Sequence, residues 1–200
     1  MKSGSRRLLL FLALSAAAGA SQAITYTTGL SGPNEFPPVA SPGTGFATVN
    51  YDALAHTLRV NATFSGLLGN TTVSHIHCCV VTPGAGTAGV ATQLPSFAGF
   101  PQGVTSGTYD NTFSTLAPAT WNAAFITANG GTVNTAEAAL AAGLSSGSSY
   151  FNIHSTAFPG GEIRGFLIQA ANGVVPEPPG IALFAIAAAL LVTIRRRHIS

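Results

Sequence analysis

"GFATVNYDALAHTLRVNATF", Gly45 to Phe64, decides the fold class. Ala47, Val49 and Tyr51 alternate with Phe46, Thr48 and Asn50, and after a short link Leu58, Val60, Ala62 and Phe64 alternate with Arg59, Asn61 and Thr63. Successive side chains of a strand point to opposite faces, so a period of two residues marks a half-buried strand. Two such runs joined by Asp52–His56 predict an antiparallel hairpin. The same pattern extends outward to Ile24–Leu30, Thr72–Val81, Val104–Phe113, Tyr150–His154 and Glu162–Gln169. The last two are joined by the turn "TAFPGG". Two segments have helical character. Pro118–Ala128 stops at Asn129-Gly130-Gly131, and Asn134–Leu144 opens with Asn134 and Glu137 spaced like a capping box. The expected class is all-β: an antiparallel, Greek-key-like sandwich or flattened barrel with a small helical insertion.

The two ends read differently. Lys2, Arg6 and Arg7 precede a largely apolar run, Leu8–Ala20, and then Ser21-Gln22-Ala23. A basic region, an apolar core and a small-residue cleavage site make a secretory signal peptide over residues 1–23. Residues 171–200 hold a Pro-rich break at Val174–Gly180, a short apolar stretch at Ile181–Ile194, and Arg195, Arg196 and Arg197. Fourteen residues rise about 21 Å as a helix, short of the ~20 residues that span a bilayer comfortably. The arginines favour a cytoplasmic C-terminus. Val175, Pro176, Glu177 and Pro178, then the apolar stretch and the arginines, resemble the PEP-CTERM sorting signal of Gram-negative bacteria. That resemblance implies an inner-membrane intermediate, cutting near Pro176–Pro178 by an exosortase-type protease, and delivery to the cell envelope or exopolysaccharide matrix.

Removing these ends changes the charge. The whole chain carries a formal +2, but residues 24–170 keep two basic side chains, Arg59 and Arg164, against Glu35, Asp52, Asp110, Glu137 and Glu162, a net of −3. A basic nucleic-acid footprint is therefore excluded. About 150 residues make one domain with a sizeable core. "GAGTAG" (Gly84–Gly89) has no lysine and opens no helix, so it is not a phosphate loop. There is no nucleophile elbow and no placed pair of acids for glycoside hydrolysis.

"LSGPNEFPPV" (Leu30–Val39), "HIH" (His75–His77) and "YFNIHSTAFPGGEIRGFLI" (Tyr150–Ile168) stand in an order and at separations that resemble the CHRD domain, first described in chordin. The resemblance covers about Thr25–Gln169. It implies an immunoglobulin- or superoxide-dismutase-like β-sandwich and no established enzyme activity. Glu35, Asn152, Gly161, Glu162 and Arg164 fall in its motifs, where a salt-bridged structural network is expected. One departure is Cys78-Cys79, where the family usually has glycine after HIH.

Alternation puts Val73, His75, His77, Cys79 and Val81 on one strand face, and Tyr150, Asn152 and His154 on the face opposite Phe151 and Ile153. If the two strands share a sheet, His75, His77 and His154 converge, and an H-x-H strand offers two imidazoles to copper or zinc. By position these three also resemble copper ligands of Cu/Zn superoxide dismutase. The likeness ends there: no bridging histidine, zinc cluster or charged loop follows, and dismutase activity is not expected. Two readings stay open. In one, the three histidines bind Cu or Zn, with Cys79 as a further candidate ligand. In the other, they bridge strands through backbone carbonyls as a polar pocket. Cys78 and Cys79 allow a vicinal disulfide, an intermolecular disulfide or two separate thiols in an oxidising compartment.

The expectation is an exported, non-enzymatic CHRD-domain protein that meets a signal peptidase and an exosortase-type protease. It would act at the surface as a structural or binding module, with extracellular polysaccharide or a surface protein as partner and no nucleic acid. A metal-binding or redox role for the HIH strand is the alternative.

Overall fold

The Gly45–Phe64 hairpin lies within the sheet, one strand in from its edge. A computed structural model describes residues 23–171. The described strands are β1 (Ile24–Ser31), β2 (Thr44–Asp52), β3 (Thr57–Ser65), β4 (Thr71–His77), β5 (Gly107–Ser114), β6 (Tyr150–Ser155), β7 (Ile163–Phe166) and β8 (Ile168–Gln169). β2 and β3 pair without a break from Thr44↔Ser65 to Asp52↔Thr57. Their turn is held by Asp52, whose Oδ1 accepts from the Leu54 and Ala55 amides, and by His56 at φ 52°. Ala47, Val49, Leu58, Val60 and Ala62 are fully buried, as the alternation predicts.

All pairings are antiparallel, so the all-β expectation holds. The finer expectation is a sandwich or flattened barrel. Hydrogen bonding runs through a single eight-stranded sheet in the order β4-β6-β7-β1-β2-β3-β5, with β8 also on β1. The sheet curls as a half-barrel instead of dividing into two facing layers. Two helices contribute to its core. α1 (Ala123–Ala128) follows a 3-10 turn at Pro118–Thr120, and α2 spans Val133–Ser145. α2 buries Ala136, Leu140, Gly143 and Leu144, one stripe at helical spacing. They meet Tyr26, Leu30, Ile76, Phe151, Ile153 and Ile163 in the core.

The helix ends differ from the expected ones. α2 starts one residue early because Thr132 is its N-cap, in a reciprocal capping box with Thr135. Glu137, expected at the cap, is instead buried. Its carboxylate accepts from Tyr51 Oη and Thr115 Oγ1, and His56 Nδ1 lies 2.9 Å away. One buried acid thus ties the β2–β3 turn, β5 and α2 together.

β4 is a sheet edge, and the long segment after it covers that edge: Cys78, Ala91 and Phe97 amides bond to the Gly89, Ile76 and Ser74 carbonyls. The strand also stops at His77, four residues before the sequence pattern does. There the Cys78–Cys79 disulfide forms, across a cis peptide. Both sulfurs pack where a side chain at Gly143 would stand. Among the described residues no helix is long and apolar enough to cross a membrane. The expected signal peptide and apolar sorting tail lie outside the described residues, apart from their innermost positions.

Leu140→Ala removes a fully buried side chain at the α2–sheet contact and is expected to cost about 2–5 kcal/mol. Leu54→Ala, on the exposed turn, is expected to stay within about 0.5 kcal/mol. Urea unfolding followed by Trp121 fluorescence measures both.

Candidate functional site

Register builds the site. His75 pairs with Asn152 and His77 with Tyr150 across β4 and β6, and Asn152 pairs with Arg164 and Tyr150 with Phe166 across β6 and β7. Residues directly opposite share a face. One face of three adjacent strands therefore carries His75, His77, Tyr150, Asn152, His154, Arg164 and Phe166. The other carries Ile76, Phe151, Ile153 and Ile163 and belongs to the core. The convergence of His75, His77 and His154 expected from alternation is present: one ring nitrogen from each lies within 4.8 Å of the others.

Each imidazole is held from outside. His75 Nε2 is 2.7 Å from Pro95 O, His77 Nδ1 is 2.9 Å from Ala88 O, and His154 Nδ1 is 2.8 Å from Pro159 O. A carbonyl only accepts, so each of these nitrogens carries the proton and donates it. The tautomers follow. His75 Nδ1, His77 Nε2 and His154 Nε2 keep bare lone pairs, and all three are buried with no protein partner. An unpartnered buried acceptor costs roughly 1–3 kcal/mol. Here three of them sit side by side.

The surroundings keep the rings neutral. Burial lowers the pKa of His75 and of His77 to about 4, against the upward pull of their carbonyl partners, and lowers that of His154 as well. His77 stacks on Tyr150 at 4.7 Å, and the Arg164 guanidinium lies 4.7 Å from the same ring centre. Arg164 Nε donates to Asn34 O and stands 3.8 Å from Glu35 Oε2. Burial raises the Glu35 carboxyl to about 7, and Arg164 offsets this only in part. Gly161, at φ 131°, lets the backbone pass: a Cβ there would lie 2.7 Å from Asn152 Nδ2 and 2.8 Å from both Glu35 carboxylate oxygens.

Of the residues singled out in the sequence, His75, His77 and His154 come together, and Glu35, Asn152, Gly161 and Arg164 form a polar cluster beside them. Glu162 serves elsewhere. Burial pushes its carboxyl up, but donors from Ser155, Ser41, Leu68 and Gly69 outweigh this and hold it below the usual range. Its role is to pin the β3–β4 loop. Cys79 does not join the histidines, because its sulfur is bonded to Cys78 and faces α2. The carbonyls of Pro95, Ala88 and Pro159 carry no side-chain signature and were invisible to sequence reasoning. Tyr150 had one, since it shares the face of Asn152 and His154.

Chemically, three neutral imidazoles with lone pairs turned inward are a nitrogen donor set. The carbonyl-held outer nitrogens are the kind of support that orients such donors. The rings anchor to backbone carbonyls, as the polar-pocket reading expects, but not through the nitrogens that face one another.

Two outcomes follow. Gly161→Ala is expected to cost about 1–3 kcal/mol, since its φ is a glycine conformation and its methyl group meets Glu35 and Asn152; thermal melting measures it. In metal-chelated protein, the side-chain resonances of His75 and His77 are expected to titrate near pH 4. The stability these neutral rings give is then lost as pH falls from about 6.5 through 4, because the unfolded chain binds the protons first. Glu35 acts in the opposite sense, its burial becoming less costly as pH falls from 7 to 4.5. Site-resolved titration by NMR separates the two, and titration of His75 and His77 near 6.5 would contradict the buried neutral rings.

Comparison with known families gives one match. The family model described as the CHRD domain matches residues 26–167, from within β1 to the end of the β7 segment. No curated protein and no solved structure matches the chain. The match takes in the hairpin, the HIH strand and the Tyr150–Phe166 motif, and with most of its length inside that model the chain belongs to the CHRD domain family.

Proposed function

We propose that this is an exported, non-enzymatic CHRD-domain protein, sorted to the envelope or extracellular matrix of a Gram-negative bacterium and acting there as a surface module. The observation that carries the reading is the order of parts at the C-terminus: Val175-Pro176-Glu177-Pro178, an apolar stretch too short for a comfortable span, then Arg195–Arg197. It resembles a PEP-CTERM signal, and the leader at residues 1–23 supplies the entry into the export route. The Cys78–Cys79 disulfide suits an oxidising compartment. The domain's negative balance speaks against nucleic acid and points to a surface partner, polysaccharide or protein. The immunoglobulin- or dismutase-like sandwich implied by the resemblance is not needed for this role.

The test is fractionation with intact mass in a Gram-negative host that has the sorting protease. The full chain is expected at the cell surface, starting near Ile24 and ending near Pro176–Pro178. A variant lacking Val174–Ser200 is expected in the periplasm or medium. Unchanged placement of that variant, or an intact C-terminus on the surface form, overturns the sorting assignment.

A further inference from the structure

Three buried ring nitrogens, from two neighbouring strands, lack a protein partner at one place. Four other buried side-chain atoms among the described residues, Glu35 Oε1, Asn152 Oδ1, Gln93 Oε1 and Ser149 Oγ, also lack a partner, while the remaining buried acids and the buried arginine are held. Glu162 collects several donors, Glu137 has three partners, and Arg164 reaches a carbonyl and an acid. Imidazoles that only bridged strands would turn both nitrogens to protein groups. These turn one outward to a carbonyl and leave the other facing its neighbours.

We propose that His75 Nδ1, His77 Nε2 and His154 Nε2 bind one copper ion, and that the site favours its cuprous form. The proposal goes beyond the sorting reading and does not depend on it. A three-nitrogen centre with bonds of about 2.0–2.1 Å needs nitrogens roughly 3.3–3.6 Å apart. The ligand atoms lie within 4.8 Å of one another, so holding the ion draws the three rings closer together. The carbonyls of Pro95, Ala88 and Pro159 hold the tautomer the ion requires, so binding releases no proton from the rings.

Charge selects the ion. The three donors are neutral, and the facing charged groups are Arg164, across Tyr150 from His77, and Glu35 behind it. No carboxylate is among the donors. A divalent ion would bring two charges into this buried setting beside a guanidinium, and needs an added anion. A monovalent ion brings one, and imidazole suits copper. The adjacent sulfurs do not compete, since Cys78 and Cys79 are bonded to each other. Entry is past His154, which is half-buried where His75 and His77 are buried.

The experiment uses the full chain, exported through a periplasm, untagged, held in mild detergent and stripped by chelator. Cuprous ion is titrated anaerobically against bicinchoninate, and zinc against a chromophoric zinc chelator. The expected result is one equivalent of Cu(I), at least 10-fold tighter than zinc, with affinity falling at least 100-fold in His154→Ala and in His75→Ala/His77→Ala. Copper-edge absorption is expected to show three nitrogen neighbours and no sulfur. His154→Gln, the change at the most exposed ring, serves if the double variant fails to fold, and circular dichroism checks each. Copper held equally by the variants, sulfur in the first shell, or no copper retained against the chelator overturns the site. Zinc binding tighter than copper overturns the cuprous assignment.

Discussion

A strand buried on both faces must find partners for the polar side chains it carries, and β6 brings this demand to the middle of the site. Phe151 and Ile153 fill the core on one side. On the other, Tyr150 donates to Ala88 O and His154 to Pro159 O, while the neighbouring His75 and Arg164 donate to Pro95 O and Asn34 O. The chain crosses that face only where it can offer carbonyls to the donors beneath. The long excursion between β4 and β5 is therefore a second wall, built of backbone acceptors where helix or sheet would offer none.

With so few ionisable groups, the domain places several of them inside. Glu137 fastens the first hairpin to α2, Glu162 fastens the β3–β4 loop, and Arg164 with Glu35 fastens the Gly32–Asn34 turn to β7. Breaking a buried pair leaves an uncompensated charge, so each connection is specific as well as stabilising. The visible surface pair, Arg59 with Asp110, adds little by comparison.

Much of this was legible in the sequence where periodicity carries it. The β2–β3 hairpin, the core residues Phe151 and Ile153, and the common face of His75, His77 and His154 follow from alternation alone. What alternation does not encode is how strands close. Eight short strands with polar turns suit two packed sheets or one curled sheet equally, and only the register β7–β1–β2 joins them into one. Glu137 looked like a cap because spacing cannot tell an acid turned to solvent from one turned inward. Cys79 looked like a fourth ligand because the pattern runs straight through to Val81. The disulfide ends the strand two residues earlier than that face needs.

The scarcity and placement of basic residues also bears on resistance to proteolysis. Enzymes of trypsin's type cut after lysine or arginine in an extended segment free of other partners. Lys2 is the only lysine in the chain. Within the domain Arg164 is buried under Tyr150 and Phe166, and Arg59 lies in β3, hydrogen-bonded to β2 on one side and β5 on the other. Neither peptide bond can reach such a cleft without opening the sheet, so the folded domain is a poor substrate for this whole class of secreted protease.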